Sequence, residues 1–384
     1  MAKPRVPRNV IVLAFVAFAS GFGQDLVAPI LPAYLVLLGM SRADIGLIDG
    51  LLQGSTNVFR VFSGWVSDRF HRRKQFVFLG YILSSIARPL LALTSTFFPI
   101  AALRVIDGSG KGIKDAPRDA LVADASTAGS HGRAFGFHRM IDTAGSVLGP
   151  LAAFSLLLFL APGLGTYRFI FALAIVPGTI ALGLIWFGVR EREQPAARKK
   201  TGGALPPVFW VFTIGMTLAL LTKVNDSLFL VRAQDLGISK TLIPLLFGGF
   251  TLVYAACSYP IGIWSDRIGK MPLLVSGWIL LALIEFGFSF DPSVPFALIL
   301  FAGYGLFFAL TEGSARAFIA DVVVQEKRGI AYGIYNACTG IALIAGGYLL
   351  GRVWDTGAPE LAFQISSVGS LIGGAILLLL RRRA

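Results

Sequence analysis

The sequence predicts an all-α membrane protein with 12 transmembrane helices in two pseudo-symmetric six-helix bundles. Three observations predict this fold class: the composition, the recurrence of long apolar runs, and an internal duplication. Of the 384 residues, 55% are hydrophobic and 14% are charged, and the mean hydropathy is +0.73. A soluble domain does not need so much apolar surface, whereas helices surrounded by lipid do.

The apolar runs have the length that a bilayer requires, since a hydrocarbon core about 30 Å thick takes about 20 helical residues per crossing. The predicted spans lie near residues 9–34, 44–66, 75–96, 98–121, 133–159, 167–188, 207–233, 241–265, 271–291, 294–323, 327–352 and 361–380. They predict a first bundle at residues 1–189, a cytoplasmic linker at 190–206 and a second bundle at 207–384. The first run is too long for a cleavable signal, so we expect it to remain as the first span.

The duplication is visible in a short signature that ends two of these runs. It reads GWVSDR from Gly64 and GIWSDR from Gly262, at a spacing of 198 residues. Downstream the repeat continues with a spacing one residue shorter, since Ala123-Asp124 recurs as Ala320-Asp321. A repeat of about half the chain indicates a pseudo-symmetric transporter with its site between the halves, not an array of small units.

The net charge of +13 is distributed asymmetrically along the chain. The N-terminus, the even-to-odd loops and the C-terminus hold 21 of the 34 Lys and Arg residues, and the opposite loops hold four. This is the positive-inside pattern, which predicts both termini in the cytoplasm and a multi-pass protein of the cytoplasmic membrane. It also argues against nucleic acid as the partner of the basic residues.

Enzyme signatures are missing from the sequence. His71, His131 and His138 do not have metal-ligand spacing, and neither a nucleophile elbow nor a phosphate-binding loop occurs. Both cysteines, Cys257 and Cys338, lie inside apolar runs, where a thiol behaves as a small hydrophobe. We therefore expect neither an enzyme nor a bound metal or cofactor.

The duplicated loop carries a resemblance to a known family. A pattern of Gly-x-x-x-Asp-Arg-x-Gly-Arg-Arg is the loop signature of the major facilitator superfamily, and it stands here from Gly64 to Arg73 with His71 in place of the second glycine. The chain resembles that superfamily over essentially its whole length. The resemblance implies twelve helices in two bundles and transport by alternating access, and we expect a monomer.

The same resemblance implies a conformational latch at the cytoplasmic ends of the helices. Physically, a carboxylate at Asp68 can accept N–H groups from a helix N-terminus, while the adjacent bases face the anionic leaflet. The alternative is that the basic cluster only sets the topology. The latch residues expected from the two copies are Gly64, Asp68, Arg69, Arg72, Arg73, Asp124, Gly262, Asp266 and Arg267.

Span 4 carries the richest polar pattern in the chain. Its charged residues are spaced three, four, three, one and three apart, so they share one helix face: Arg104, Asp107, Lys111, Lys114, Asp115 and Arg118. Charges in hydrocarbon are costly, so the stripe is expected to face the protein interior, with Asp107 partly neutralised by Arg104 and Lys111. Arg104, Gly108 and Gly110 resemble a superfamily motif whose arginine is implicated in proton transfer.

Span 5 continues with Arg139 and Asp142 and then a run of small residues. Gly145, Gly149 and Pro150 resemble the antiporter motif of the superfamily, although Ala152 and Ala153 replace its last glycines. The resemblance implies a hinge and export by exchange. Ordinary packing of small residues in a membrane helix predicts the same glycines.

The other ionisable residues at membrane depth are interpreted as solute or proton contacts or as structural ion pairs. We expect Asp25, Lys223, Asp226, Glu312 and Arg316 to take part in coupling or binding, together with Arg104, Asp107, Lys111, Arg139 and Asp142. Burial favours the protonated carboxyl and a nearby arginine favours the carboxylate, so movement of a base can load and release a proton. Structural roles are favoured for Arg60, Arg88, Arg232 and Glu285.

These patterns predict a proton-coupled secondary transporter that exports a small polar or charged organic solute by antiport. Its expected partners are that solute, protons and membrane lipids. One alternative is a proton symporter that imports a small anionic metabolite, favoured by the buried bases. The other is a non-transporting sensor or scaffold on the same fold, which would have no use for so many costly charges.

Overall fold

The computed structural model describes residues 7–70, 72–126, 131–190 and 204–381, and their side chains except at 64–70, 131, 132, 266, 326 and 381. Within these ranges the regular structure is helical, without a strand. The α-helices are α1 (Arg8–Val27), α2 (Leu31–Leu37), α3 (Arg42–Phe70), α4 (Arg73–Leu90), α5 (Phe97–Ala125), α6 (His131–Leu160), α7 (Leu164–Leu173), α8 (Ile175–Gly188), α9 (Pro207–Leu221), α10 (Asp226–Asp235), α11 (Ile243–Ile268), α12 (Lys270–Phe288), α13 (Val294–Val322), α14 (Arg328–Asp355) and α15 (Pro359–Arg381). Two 3₁₀ segments, Leu91–Leu93 and Gln325–Lys327, complete them.

In the described ranges, ten helical segments are long and apolar enough to cross a membrane. Three of them are broken spans, formed by α1 with α2, α7 with α8, and α9 with α10. Helices α3 and α5 have 29 residues each and could cross, but their composition is too polar to meet the same criterion. The predicted all-α membrane protein is confirmed, and ten of its twelve spans are confirmed by length and composition.

The chain groups into two compact units. One consists of Met1–Ile30 and Ser55–Arg198, and the other of Leu31–Gly54 and Lys199–Ala384. The segment Leu31–Gly54 thus belongs to the first half of the sequence but packs within the second unit. The bundle and linker boundaries given above stay predictions, and most of the predicted linker lies outside the described residues.

Polar and apolar side chains are distributed as in a protein surrounded by lipid. Phe159 and Phe187 are each 83% exposed, whereas Asp107 is 1% exposed and Glu285 is fully buried. In hydrocarbon, charged groups must be satisfied inside the protein, while aromatic and aliphatic groups can face the acyl chains. The pattern therefore agrees with the membrane assignment.

Glycines bring helices close together in the first unit. A Cβ on Gly145 or Gly149 of α6 would meet the backbone of α1 at Phe18 and Phe22. Similarly, a Cβ on Gly110 of α5 would meet the carbonyl oxygen of Gly80 on α4. Because lipid supplies little hydrophobic driving force between helices, such close packing is a main source of helix association in membranes.

A helix break in the second unit places polar residues at membrane depth. Helix α9 ends at Leu221 and α10 begins at Asp226. The side chain of Asn225 accepts a hydrogen bond from the Leu228 amide at 3.1 Å and so caps α10. The break thus leaves Lys223 and Asp226 side by side at the start of the second segment.

Candidate functional site

Asp107 on α5 is buried and lies beside two arginines. The Arg88 guanidinium on α4 approaches it most closely, with Nη2 3.0 Å from Oδ1 and Nε 3.2 Å from both carboxylate oxygens. Arg104, one turn earlier on α5, lies 3.6 Å from Oδ2. The sequence predicted the contact with Arg104 but assigned no partner to Arg88, since the latter comes from another helix.

Arg88 also connects these helices to α1. Its Nη1 donates to the carbonyl oxygen of Ser20 at 2.9 Å. The Lys114 ammonium donates to the hydroxyl of the same serine at 2.9 Å and lies 4.0 Å from the centre of the Tyr81 ring. Helices α1, α4 and α5 therefore meet in a polar cluster, with Arg88, Asp107 and Lys114 each less than 5% exposed.

A second acid on α5, Asp115, lies two turns after Asp107. It forms an ion pair with Arg60 of α3, and Arg118 lies 3.5 Å from its Oδ1. Arg118 also pairs with the exposed Asp119 at 3.0 Å. Arg60, for which a structural role was favoured, thus joins α3 to α5, and Asp107 and Asp115 each bind two arginines.

Asp25 on α1 lies in a different environment, buried but without an ion pair within the described residues. The Gln24 amide donates to its Oδ1 at 3.1 Å, and the Ser146 hydroxyl of α6 is also a hydrogen-bond partner. On the same helix as Ser146, Arg139 lies 3.6 Å from Asp142. Asp25 is therefore a carboxyl held by neutral partners.

The second unit has its own polar cluster at the break between α9 and α10. The Lys223 ammonium donates to the Tyr304 hydroxyl at 2.6 Å and lies 3.5 Å from Asp226. The tyrosine in turn donates to the Asp226 carboxylate. Lys223 also lies 5.6 Å from the centre of the Phe308 ring. A cation, a phenol and a carboxylate thus form a closed triangle next to an aromatic wall.

Glu285 on α12 is buried beside this cluster. The hydroxyls of Ser366 and Ser370 on α15 donate to its two oxygens, and Ser366 also accepts the Val224 amide at 2.9 Å. Through Ser366, Glu285 supports the backbone next to Lys223. The contacts join α12 to α15, and the structural role favoured for Glu285 stays a prediction.

Two further predicted residues pair on the same helix of the second unit. Arg316 lies 3.0 Å from Glu312 on α13, and the Tyr254 hydroxyl of α11 donates to the same carboxylate at 2.7 Å. Arg232, in contrast, is buried and donates to the carbonyl oxygen of Phe288 at 3.0 Å while pairing with Asp291. Its contacts join α10 to the end of α12.

The predicted latch is described only in part. The side chains of Asp68, Arg69 and Asp266, and Gly64 with them, lie outside the residues whose side chains are described. Arg73 pairs with Asp124 between α4 and α5, and in the second copy Lys270 lies 3.6 Å from Asp321. Arg72, Gly262 and Arg267 are exposed. Each copy thus has a base after the loop that pairs with the equivalent aspartate, although Lys270 aligns with Arg72 and not with Arg73.

An acid-capped helix N-terminus occurs in the second unit. The carboxylate of Asp355, at the end of α14, accepts the backbone amides of Arg42 at 2.7 Å and Ala43 at 3.0 Å. These are the first two residues of α3, whose amides have no partner within the helix. The Arg42 side chain lies 3.4 Å from Asp235 on α10. The sequence predicted this geometry for Asp68 and gave no sign of it at Asp355.

Helices α3 and α14 continue in backbone contact beyond this cap. A Cβ on Gly351 would meet the backbone of Arg42 and Ala43, and one on Gly347 would meet the carbonyl oxygen of Gly46. That oxygen also accepts a hydrogen bond from the side-chain amide of Asn225 at 2.9 Å. The first half of α3 is thus held to α14 and α10 within the second unit.

The two halves place different chemistry at equivalent positions. The register that aligns Asp124 with Asp321 aligns Asp107 with Tyr304, and the earlier register of 198 aligns Asp25 with Lys223. The sequence did not predict Tyr304 as a site residue, because the candidates in the apolar runs were charged residues and tyrosine is uncharged. The alignment of Tyr304 with Asp107 is the signal that could have identified it. In the described part of the chain, no group of three or more potential metal ligands occurs.

Comparisons with known proteins agree with the resemblance seen in the loop. The model of the Major Facilitator Superfamily matches residues 13–231 and 209–384. The chain is 30% identical over 381 residues to an uncharacterized MFS-type transporter of Methanocaldococcus jannaschii, covering 97% of this chain and 94% of the relative. It is 22% identical over 395 residues to the quinolone resistance protein NorA of Staphylococcus aureus, covering 98% and 97%. A crystal structure of an auto-inhibited POT family peptide transporter superimposes with a TM-score of 0.82 at 12% identity, covering 98% and 97%.

Proposed function

The chain belongs to the major facilitator superfamily, and from this premise we propose that it is a proton-coupled secondary transporter that exports a small polar or charged organic solute by antiport. Alternating access is the proposed mechanism. A gradient supplies the energy in this proposal, and the chain carries out no covalent chemistry on the solute.

The observation that carries the proposal is the set of buried ionisable groups at membrane depth. Charged groups are costly to place in hydrocarbon, and where they occur they usually have a function. The first unit buries Arg88 with Asp107, and the second holds Lys223 with Tyr304 and Asp226. A scaffold on the same fold would be more stable with apolar residues at these positions. A transporter needs such groups to bind a polar solute and to exchange protons.

Asp25 is the group that we propose as the proton carrier of the first unit. It has amide and hydroxyl partners in place of a base, so both its protonated and its ionised form can be hydrogen-bonded. Asp107, bound by two arginines, is suited to remain ionised and to orient those bases.

The direction of transport is proposed from the contact between α1 and α6. Gly145 and Gly149, which resemble the antiporter motif, face the segment of α1 that carries Asp25. Rocking of α6 would therefore change the surroundings of the proposed proton carrier. The name of the relative NorA, a quinolone resistance protein, also favours export, because removal of a compound from the cell is one route to resistance.

The test is flux in proteoliposomes under an imposed pH gradient. Right-side-out vesicles with an acidic exterior should show solute extruded, with protons entering. Accumulation of solute under that gradient would instead support the symporter of a small anionic metabolite. Absence of any solute-dependent proton movement, with solutes first selected by a thermal-shift screen, would support the sensor or scaffold.

The proposal includes the setting of the protein. The spans require a membrane, and the loop bases favour the cytoplasmic membrane with both termini in the cytoplasm. A monomer with bound lipids at its surface is the proposed form. Asp25→Asn and Asp107→Asn should each impair proton-driven flux, and full flux in both variants would exclude these two residues from coupling.

A further inference from the structure

The polar cluster of the first unit contains more basic than acidic groups. Asp107 binds Arg88 and Arg104, and Asp115 binds Arg60 and Arg118, the last of which also pairs with the exposed Asp119. Four guanidinium groups thus share three carboxylates. The cluster therefore carries excess positive charge before its two lysines are considered.

Neither lysine of this cluster has a carboxylate of its own. Lys111 lies one helical turn from both Asp107 and Asp115, yet within the described side chains it forms neither a hydrogen bond nor an ion pair. Lys114 is 4% exposed, and its described partners are the Ser20 hydroxyl and the face of Tyr81. An ammonium group has three donors, so both lysines have N–H groups left to bind an acceptor.

Buried cations without counter-charge are unfavourable, and proteins normally pair them. Asp25 is a further acid close enough to Lys111 to interact with it electrostatically, besides Asp107 and Asp115. It cannot balance two lysines and the surplus of the arginine pairs. The missing negative charge is therefore expected from outside the chain.

We propose that the first unit binds an anionic group of the transported solute, a carboxylate or a phosphate, with Lys111 as its principal contact. Lys111 is the partly exposed member of the lysine pair and can reach a ligand, while the buried Lys114 adds positive potential behind it. This inference rests on the proposed transport function and narrows its solute to an organic anion.

The first experiment needs no knowledge of the solute. In the ligand-free, detergent-purified full chain, Lys111→Gln should raise the melting temperature by about 2 °C or more, because an uncompensated charge is removed. The matched control is Lys74→Gln, since Lys74 donates to the carbonyl oxygens of Trp186 at 3.0 Å and Val189 at 2.7 Å and should lose stability. A fall or no change in the Lys111 variant would overturn the proposal.

The second experiment compares three probes that share one ring and differ in charge, namely benzoate, benzyl alcohol and benzylamine, at constant ionic strength. Benzoate should increase the melting temperature of the wild type more than benzyl alcohol or benzylamine does. In the Lys111→Gln variant, the increase caused by benzoate should be at most half as large. Equal effects of the three probes, or a larger effect of benzylamine, would contradict an anion site. Because no proton gradient is applied, this inference and the proposed antiport can fail separately.

Discussion

At the scale of single residues, the structure separates charges that bind each other from charges for which it describes no ion-pair partner. Arg88 illustrates the first kind, because it is buried and joins Asp107 to the Ser20 carbonyl group. Lys111 illustrates the second. Both were visible in the sequence as ionisable residues in an apolar run, but only the neighbouring helices distinguish them.

We expect Arg88→Leu to destabilise the protein by about 3 kcal/mol or more, since it leaves the buried Asp107 with only the more distant Arg104. The melting temperature of the purified protein measures the effect. Arg139→Leu is the control: the Arg139 side chain is 61% exposed, so loss of its pair with Asp142 should cost about 1 kcal/mol or less. Equal losses in the two variants would show that burial of the Asp107 pair has no energetic consequence.

At the scale of helices, close glycine contacts and helix ends decide which elements stay together. Gly149 brings α6 against α1, and Asp355 fixes the N-terminus of α3. The glycine contact depends on shape, and the helix cap depends on charge and hydrogen bonding. A substitution can change either contact while the other stays intact.

Gly149→Ala should separate α1 from α6, because a Cβ there would lie 2.6 Å from the carbonyl oxygen of Phe22. We expect a loss of stability of about 1–3 kcal/mol from this overpacking, measured by thermal unfolding, together with reduced flux. Gly183→Ala on α8 is the matched control, since nothing lies within 4 Å of a Cβ at that position. Comparable losses at both positions would contradict a specific role of the α1–α6 contact.

Asp355→Ala should loosen the start of α3, because it removes the acceptor of the Arg42 and Ala43 amides. A lost cap costs about 1 kcal/mol, so amide hydrogen exchange near the start of α3 should be faster by about fivefold. Mass spectrometry of peptides from residues 40–54 measures this change. Asp291→Ala, which removes a partner of Arg232, should leave those peptides unchanged. Unaltered exchange in the Asp355 variant would mean that the cap does not hold α3.

At the scale of the whole molecule, the duplication produces two sequence halves with similar helices and different chemistry. The ion pair of Arg73 with Asp124 has a counterpart in Lys270 with Asp321, whereas Asp107 is replaced by Tyr304. The repeated features lie at the predicted cytoplasmic loops and the differing ones at membrane depth. This division is expected if the loops serve topology and movement while the interior serves one particular solute.

The topology can be checked with reporter fusions. The distribution of bases predicts that a fluorescent protein fused after Ala384 folds in the cytoplasm and fluoresces, and that alkaline phosphatase at the same site is inactive. A fusion after Gly357, between α14 and α15, should give the opposite result with both reporters. Active phosphatase after Ala384 would reverse the predicted orientation.

Much of the fold could be predicted because its signals are local. Apolar runs of membrane length gave helix positions within a few residues, as for the run near 327–352, which the structure has as Arg328–Asp355. Helices α3 and α5 are the spans that composition supports least. Their charged residues, which point to the candidate site, also lower their mean hydropathy. The spacing along α5 correctly predicted that Arg104 contacts Asp107, because residues three apart share a helix face.

The partners of the site could be predicted only where they lie on the same helix. The sequence by itself determined the membrane class, the duplication and the family, because hydrophobic periodicity, loop charge and a repeated motif are properties of the chain in order. Tertiary structure decided that Arg88 neutralises Asp107, that Tyr304 joins Lys223 to Asp226, and that Asp355 caps the N-terminus of α3. Each of these contacts joins residues from different helices, and the register between packed helices follows from side-chain and glycine packing that no linear spacing records.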